Sequence, residues 1–323
     1  MASLICSFIN FLLGLLLAPL LMGIIIRVKA KVAGRTGKPI LQPYYDLAKL
    51  VQKEPVYPVT TTWVFTLGPV LAAAATITAL TIAPVGGTSA LINFTGDAFV
   101  LLGFFALSRL AIMLPALDTG SAFEGMGTAR EALFSSLVEP VFMLFMGVFA
   151  YYTHSLSLTG MIGGVTLSAW GSAWPFFLLL AIAIYFIMLT ENARIPVDDP
   201  TTHLELTMIH EVMILDHSGP ELALYEYAAA VKMWIFGLIF AGLIVPLAEP
   251  HLFTPEGDFA NGLLPVALNT GATILCVFFM AFLVGITEST MARLRLERVP
   301  QLIAMAGAFV ALAGLTAWRI YGL

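Results

Sequence analysis

Ser3–Ile26 reads SLICSFINFLLGLLLAPLLMGIII, and the residues that follow, Arg27–Pro39, read RVKAKVAGRTGKP. A hydrocarbon layer about 30 Å thick needs roughly 20 consecutive apolar residues in helical form. The first stretch supplies them without a charge, and the second is dense in cations. Apolar runs of spanning length recur at Thr62–Ala83, Ala98–Leu117, Leu133–Tyr152, Ser172–Thr190, Val231–Leu247, Val266–Thr287 and Pro300–Trp318. None alternates with period two, so barrel strands are excluded and the spans are helices. The expected class is an all-α polytopic membrane protein with about eight transmembrane helices and short interfacial helices, residues 1–323 forming one integral membrane domain. A mean hydropathy of +0.94 and 11% charged residues exclude an ordinary soluble domain.

The cations set the expected orientation. The first connection (27–61) carries Arg27, Lys29, Lys31, Arg35, Lys38, Lys49 and Lys53, and the third (118–132) carries Arg130. The fifth (191–230) carries Arg194 with Lys232 just beyond, and the seventh (288–299) carries Arg293, Arg295 and Arg298. The second, fourth and sixth hold no Lys or Arg. The positive-inside rule makes the odd connections of this multi-pass protein cytoplasmic and puts both termini outside. The first span reads as an uncleaved anchor, because no small-residue cleavage site follows its apolar run.

Several functions are excluded by what is missing. Cys6 and Cys276 stand far apart, each inside a span, with no C-x-x-C, so thiolate ligation of zinc or an iron–sulfur cluster is not expected. Neither G-x-x-x-x-G-K-[ST] nor G-x-G-x-x-G occurs, which leaves no phosphate-cradling loop for nucleotide hydrolysis or hydride transfer. No internal repeat relates the spans, which weakens a transporter built from inverted halves.

The outer connections are short or composed of Gly, Ser and Thr, so function is expected on the motif-bearing cytoplasmic side. In the first connection Pro43 suits the first turn of a short helix running to Lys53 and ending before Pro55. Tyr44, Leu47, Leu50 and Val51 fall on one face of it, with Asp46, Lys49 and Lys53 on the other. From the residues alone this helix is either an interfacial anchor with a basic fringe or a platform for a docking subunit.

The fifth connection, from Glu191 to Lys232, reads ENARIPVDDPTTHLELTMIHEVMILDHSGPELALYEYAAAVK. It is locally acidic, the first is locally basic, and attraction between them is expected to hold that face together. Asp199-Pro200 and Ser218-Gly219-Pro220-Glu221 carry helix-start signals. They predict helices over Pro200–Ile214 and Pro220–Ala230, the second leading into the sixth span. The carboxylates are either a solvated acidic face or a proton relay, since desolvation near a bilayer favours proton exchange. Glu205 and Glu211 are the better relay candidates, with Glu226 next. His203, His210 and His217 recur every seven residues, but along a helix that separates neighbours by about 10 Å, too far for one metal ion. His210-Glu211 also lacks the second His of H-E-x-x-H, so no metal site is expected and proton shuttling is the better use of these rings.

Two charges lie well inside the spans, beyond Lys232 at the very start of the sixth. Arg109 sits about 12 Å from the cytoplasmic end of the third span, and Glu139 enters the fourth from the same side. An intramembrane guanidinium needs a partner. The expected one is Glu139, or else a carboxylate of the fifth connection, as a structural tie or as part of a hydrated proton path. Glu288 is expected to balance Arg293 and Arg295, and Arg319 to snorkel outward.

Four segments resemble one family: Gly34–Glu54 with QPYYDLAKLVQKE, Leu117–Pro140 with LDTGSAFEGMGTAREALFSSLVEP, Glu191–Gly219, and Met291–Leu296 with MARLRL. With the span count they cover most of the chain. It resembles the eight-span membrane subunit shared by complex I and group 4 membrane-bound [NiFe]-hydrogenases, and is most similar to the formate hydrogenlyase-like hydrogenase branch. The complex I run G-P-N-R-x-G-P is here reduced to Gly34-Arg35-Thr36-Gly37-Lys38-Pro39. Of the pattern P-F-D-x-x-E-A-E-x-E-L, Pro196, Asp198, Glu205 and Leu206 match, Thr201 and His203 replace two glutamates, and Asp216 stands where Glu often precedes Y-S-G.

The resemblance implies a non-catalytic, ion-coupling anchor of an oxidoreductase complex, itself without cofactor and binding no nucleic acid. The [NiFe] centre and iron–sulfur clusters would reside in hydrogenase large and small subunits and a ferredoxin-like iron–sulfur subunit, with antiporter-like membrane subunits alongside. The implied proton or ion path candidates are Arg109, Glu139, Glu191, Asp198, Glu205, Glu211, Asp216 and Glu226. The implied docking residues are Arg35, Gln42, Tyr45, Asp46, Lys49 and Glu54. The rival reading, a quinone-site subunit of a complex I-type NADH or ferredoxin:quinone oxidoreductase, would add a quinone.

Overall fold

Length and apolarity force the chain into long helices, because only internal hydrogen bonding satisfies a backbone in hydrocarbon. In the computed structural model, which describes residues 2–198, 208–246 and 259–321, the long helices are α1 (Ala2–Val32), α3 (Trp63–Ile82), α4 (Asp97–Asp118), α5 (Ala122–Thr153), α7 (Leu167–Glu191), α9 (Gly219–Ile244), α10 (Phe259–Thr290) and α11 (Val299–Tyr321). Among the described residues, eight helices are long and apolar enough to cross a membrane. Three short ones join them: α2 (Gln42–Val51), α6 (Leu158–Gly163) and α8 (His210–Met213).

Helix α9 is the centre of the bundle. It packs against α1, α2, α3, α7 and α10, while α3 pairs with α4, and α11 lies on α5 and α7. Its sequence explains the position: from Val231 to Leu243, Lys232 is the only charged residue, and most of the side chains are fully buried. Where helices share no hydrophobic driving force against lipid, close backbone approach at small residues supplies the association. Gly68 of α3 shows this most sharply. A Cβ there would fall 2.2 Å from Pro115 Cγ, 2.6 Å from the Ala111 carbonyl oxygen and 2.7 Å from the Tyr225 hydroxyl.

The two ends of the bundle are closed differently. At the end without Lys or Arg in its connections, the buried Asp97 carboxylate accepts from the Leu158 amide (2.6 Å) and the Ser157 hydroxyl (3.0 Å), pinning α6 to the start of α4. At the basic end, Asp118 accepts from the Thr62 amide (2.6 Å) and hydroxyl (2.9 Å), tying the foot of α3 to the end of α4.

Several boundaries differ from the sequence reading. Helix α5 begins at Ala122 rather than Leu133, so the third connection shrinks to three residues, Thr119–Ser121. Helix α9 begins at Gly219, making one continuous helix of the expected Pro220–Ala230 segment and the sixth span. Hydropathy ends a span at its first charges, but the helix continues wherever those charges find partners inside the protein. The expected helix over Pro200–Ile214 falls partly on residues 199–207, outside the described residues. Its described part holds only the short α8, because the Ile209 and His210 amides are taken by Asp198. Helix α2 matches its expected place, but Asp46 turns inward while Val51 is 62% exposed.

Gly68→Val should force α3 off α4 and lower the thermal unfolding temperature of the detergent-purified protein, at a cost of about 1–3 kcal/mol for overpacking. Gly103→Val, with no atom within 4 Å of its Cβ position, should leave the transition unmoved.

Candidate functional site: a buried charge cluster beneath a cavity

Arg109 stands on α4 with 7% of its side chain exposed, and two helices, α5 and α7, bring three carboxylates to it. Its Nη1 donates to Glu139 of α5, and its Nη2 lies 2.6 and 2.7 Å from the two carboxylate oxygens of Glu191 at the end of α7. Its Nε is 3.4 Å from Glu131, two turns before Glu139 on α5. Lys232 of α9 completes the group, its Nζ donating to Glu191 Oε2 (2.8 Å) and to the Glu191 carbonyl oxygen (2.7 Å). The same ammonium stands 5.7 Å from the centre of the Phe105 ring. Two cations thus face three carboxylates where four helices converge. Both sequence-level pairings of Arg109 occur at once, with Glu139 and with a residue of the fifth connection.

Above the cluster lies a cavity of about 340 Å³. Pro19, Met22, Ile25 and Ile26 of α1, with Ile112 and Ile214, give it an apolar wall; Arg109, Glu131, Glu191 and Lys232 lie at its base. Asp46, Glu211 and Glu226 add carboxylates to its lining, and Lys29, Arg194 and His210 add bases. Burial pushes the Glu211 carboxyl up to about 7, against the opposing Arg194 charge, with the Glu226 and Asp198 carboxylates adding to the rise. Burial, with the positive charges of Lys232 and Arg194, pushes His210 down to about 4, so its ring is neutral at physiological pH. Burial also lowers His217, whose Nδ1 sits 3.2 Å from Glu221 and whose ring stacks on Phe65 at 3.8 Å. Burial thus favours the neutral ring in both His210 and His217. The third, His203, lies outside the described residues.

Two further ties frame the cavity. Glu288 of α10 is held by Lys29 (2.9 Å) and by Arg194 (3.5 Å), a correction to its expected pairing with Arg293 and Arg295. Arg293 instead reaches Asp198 at 3.0 Å. Asp198, 1% exposed, also accepts from the Ile209 and His210 amides (2.9 and 3.1 Å), and so staples together the two sides of the fifth connection. The first and fifth connections meet through their backbones. The Val56 amide donates to the Ser218 hydroxyl (2.9 Å), and Gly219, at φ +59°, packs where a Cβ would lie 2.9 Å from the Lys53 carbonyl oxygen.

Of the path candidates, the structure brings together Arg109, Glu139 and Glu191, and places Glu211 and Glu226 on the cavity above them. Asp198 lies at its rim as a tie, Asp216 is exposed, and Glu205 lies outside the described residues. Of the docking candidates, Tyr45, Lys49 and Glu54 are exposed, Gln42 donates to Asp46 (2.8 Å), and Arg35 faces a separate groove. Sequence reasoning missed Glu131 and Lys232. Glu131 and Glu139 share a face of α5 only once that helix is extended back to Ala122, and Lys232 was assigned to a connection.

The described residues thus form an eight-span helical membrane bundle with a charge cluster at the foot of a half-apolar cavity. The family model described as NADH dehydrogenase matches residues 5–318, and the chain belongs to that family. It is 31% identical over 320 residues to formate hydrogenlyase subunit 4 of Escherichia coli K12, covering 98% of this chain and 99% of that protein. It is 29% identical to hydrogenase-4 component C of the same organism, covering 93% and 91%. Among solved structures it matches a chain of the archaeal membrane-bound sulfane sulfur reductase, a respiratory membrane complex, with a TM-score of 0.76 at 20% identity, covering 98% of this chain and all of that one.

Because the Glu211 pKa in the fold (about 7) exceeds its ordinary carboxyl value, the fold favours the protonated form. Its destabilising effect grows as pH rises through that interval and is complete above it. Glu211→Gln should therefore raise the melting temperature relative to wild type above about pH 7 and leave it unchanged near about pH 4. A pH-independent difference between the two proteins would contradict the assignment.

Proposed function

We propose that the chain is the membrane-anchoring and ion-coupling subunit of a membrane-bound [NiFe]-hydrogenase complex of the formate hydrogenlyase type. The observation that carries the coupling role is the Arg109–Glu191–Lys232 cluster with Glu131 and Glu139, buried at the foot of a cavity that reaches the basic end of the bundle. Three carboxylates against two cations leave one negative charge in excess when all are ionised. A proton taken up by one carboxylate balances the cluster without breaking it, so its protonation answers to any movement above it.

In this reading the basic end faces the cytoplasm of a cell inner membrane, both termini lie outside, and Tyr45, Lys49 and Glu54 offer the surface on which the redox arm docks. That arm consists of the hydrogenase large and small subunits and a ferredoxin-like subunit, which hold the [NiFe] centre and the iron–sulfur clusters. Redox steps in the arm shift the first and fifth connections, which are joined at Val56–Ser218 and at Gly219. Glu205, Glu211 and Glu226 pass protons to the cavity. Glu131 and Glu191 exchange them at Arg109, and Glu139, its side chain 47% exposed on the flank of α5, delivers them towards an antiporter-like neighbour. Asp198 orients the fifth connection through Arg293.

The cavity's apolar wall favours one second reading, in which an amphiphilic quinone enters beside α1 and this chain serves a complex I-type quinone reductase. Purification through a tag on this chain in mild detergent separates the two. Nickel with hydrogen-dependent viologen reduction in the co-purified complex is the expected result; a nickel-free complex that reduces quinone with NADH or reduced ferredoxin would replace it.

Within the hydrogenase complex, Glu139→Gln and Glu205→Gln should each leave assembly and viologen reduction near wild type while lowering ion translocation in proteoliposomes at least tenfold. Unchanged translocation in both would remove the path.

A further inference from the structure

A second concavity, of about 930 Å³, lies at the end of α1, apart from the charge cluster and lined in part by Ile26, Lys29, Val32, Arg35, Lys38 and Ser289. Its shape is built into the chain. Gly34, at φ +70°, ends α1 and reverses direction, with its amide on the Lys31 carbonyl (3.0 Å) and the Arg35 amide on the Ala30 carbonyl (2.8 Å). The returning segment lies so close to α1 that a Cβ on Gly37 would sit 2.4 Å from the Ala30 Cβ. The Arg27 guanidinium holds that segment by donating to the carbonyl oxygens of Thr36, Gly37 (3.2 Å) and Lys38 (3.3 Å).

The cations of this groove differ in what they are bound to. Arg27 is committed to its own backbone and Lys29 to Glu288, whereas Arg35 and Lys38 are exposed and make no ion pair among the described residues. The surroundings are apolar, Ile26 being 41% and Val32 54% exposed. Leu12 and Leu16, 46% and 62% exposed, share the face of α1 that carries Ile26. The depth follows from length: a helix of 31 residues extends about 46 Å against a hydrocarbon core of about 30 Å, so the last turns of α1 stand at the headgroup level. Fixed cations there, above an apolar flank, match an anionic amphiphile.

We propose that this groove binds one anionic phospholipid of the phosphatidylglycerol type, its phosphodiester between Arg35 and Lys38 and its acyl chains against Ile26 and the exposed face of α1. The site is independent of the hydrogenase reading, since it rests on this chain alone. Each basic residue at an anionic headgroup contributes about fivefold in affinity.

The test is native mass spectrometry of the delipidated complex, purified through a tag on this chain and titrated with phosphatidylglycerol, with phosphatidylcholine of the same acyl chains, or with inorganic phosphate. One phosphatidylglycerol should bind per copy of this chain, about 25-fold more weakly in Arg35→Ala/Lys38→Ala and unaltered in Arg295→Ala/Arg298→Ala. Arg35→Lys/Lys38→Arg, which keeps both charges, should retain it and guards against a folding defect. Phosphatidylcholine should show no difference between wild type and Arg35→Ala/Lys38→Ala. Three results would each overturn the site: equal phosphatidylglycerol binding by Arg35→Ala/Lys38→Ala, full displacement by equimolar inorganic phosphate, or loss of co-purifying subunits from that variant with lipid binding intact.

Discussion

A guanidinium inside a bilayer is tolerated only where protein replaces the water it has lost. Arg109 imposes that condition on the whole bundle. Its charge is met by α5 through Glu131 and Glu139 and by α7 through Glu191, and Lys232 brings in α9. Four long helices must therefore converge at one depth. Removing Arg109 would strand the buried Glu191 carboxylate's partner network, which is far costlier than losing a surface pair. Helix α9, mostly buried at the centre of the bundle, carries Lys232 into that convergence.

The same condition separates the two ends of the molecule. At the end free of basic connections, the buried Asp97 is engaged with Ser157 and Leu158 and pins α6 to α4. At the basic end charges outnumber their closest pairings, and a cavity opens among them. Asp198, held by Arg293 and by the Ile209 and His210 amides, serves as a tie of the acidic connection, a role that composition does not reveal.

Membership of the NADH dehydrogenase family, with relatives among hydrogenase and formate hydrogenlyase subunits, agrees with this layout. Thr201 and His203, where the related pattern has glutamates, thin out the acidic connection in this chain. The proposed path accordingly leans on Glu211, Glu226 and the cluster, which the described residues place together.

How much was legible in advance depends on the range of the interaction. Helix number, their all-α character, the short helix at Pro43 and the partnership of Arg109 with Glu139 could be read directly, because apolar run length, proline position and the cost of an intramembrane charge are local or one-body properties. The start of α5 was misplaced because hydropathy stops at a charge, whereas a helix stops only where its backbone does, while the start of α9 was legible to within one residue from its helix-start signal at Ser218–Glu221. The pairs Lys29–Glu288, Arg293–Asp198 and Lys232–Glu191 were not legible, since each joins segments far apart in the chain. The sequence by itself determined that this protein spans a membrane eight times and must pair Arg109. Only the tertiary structure decided which carboxylates surround it, because ion pairing is settled by distance in space and the chain records only distance along itself.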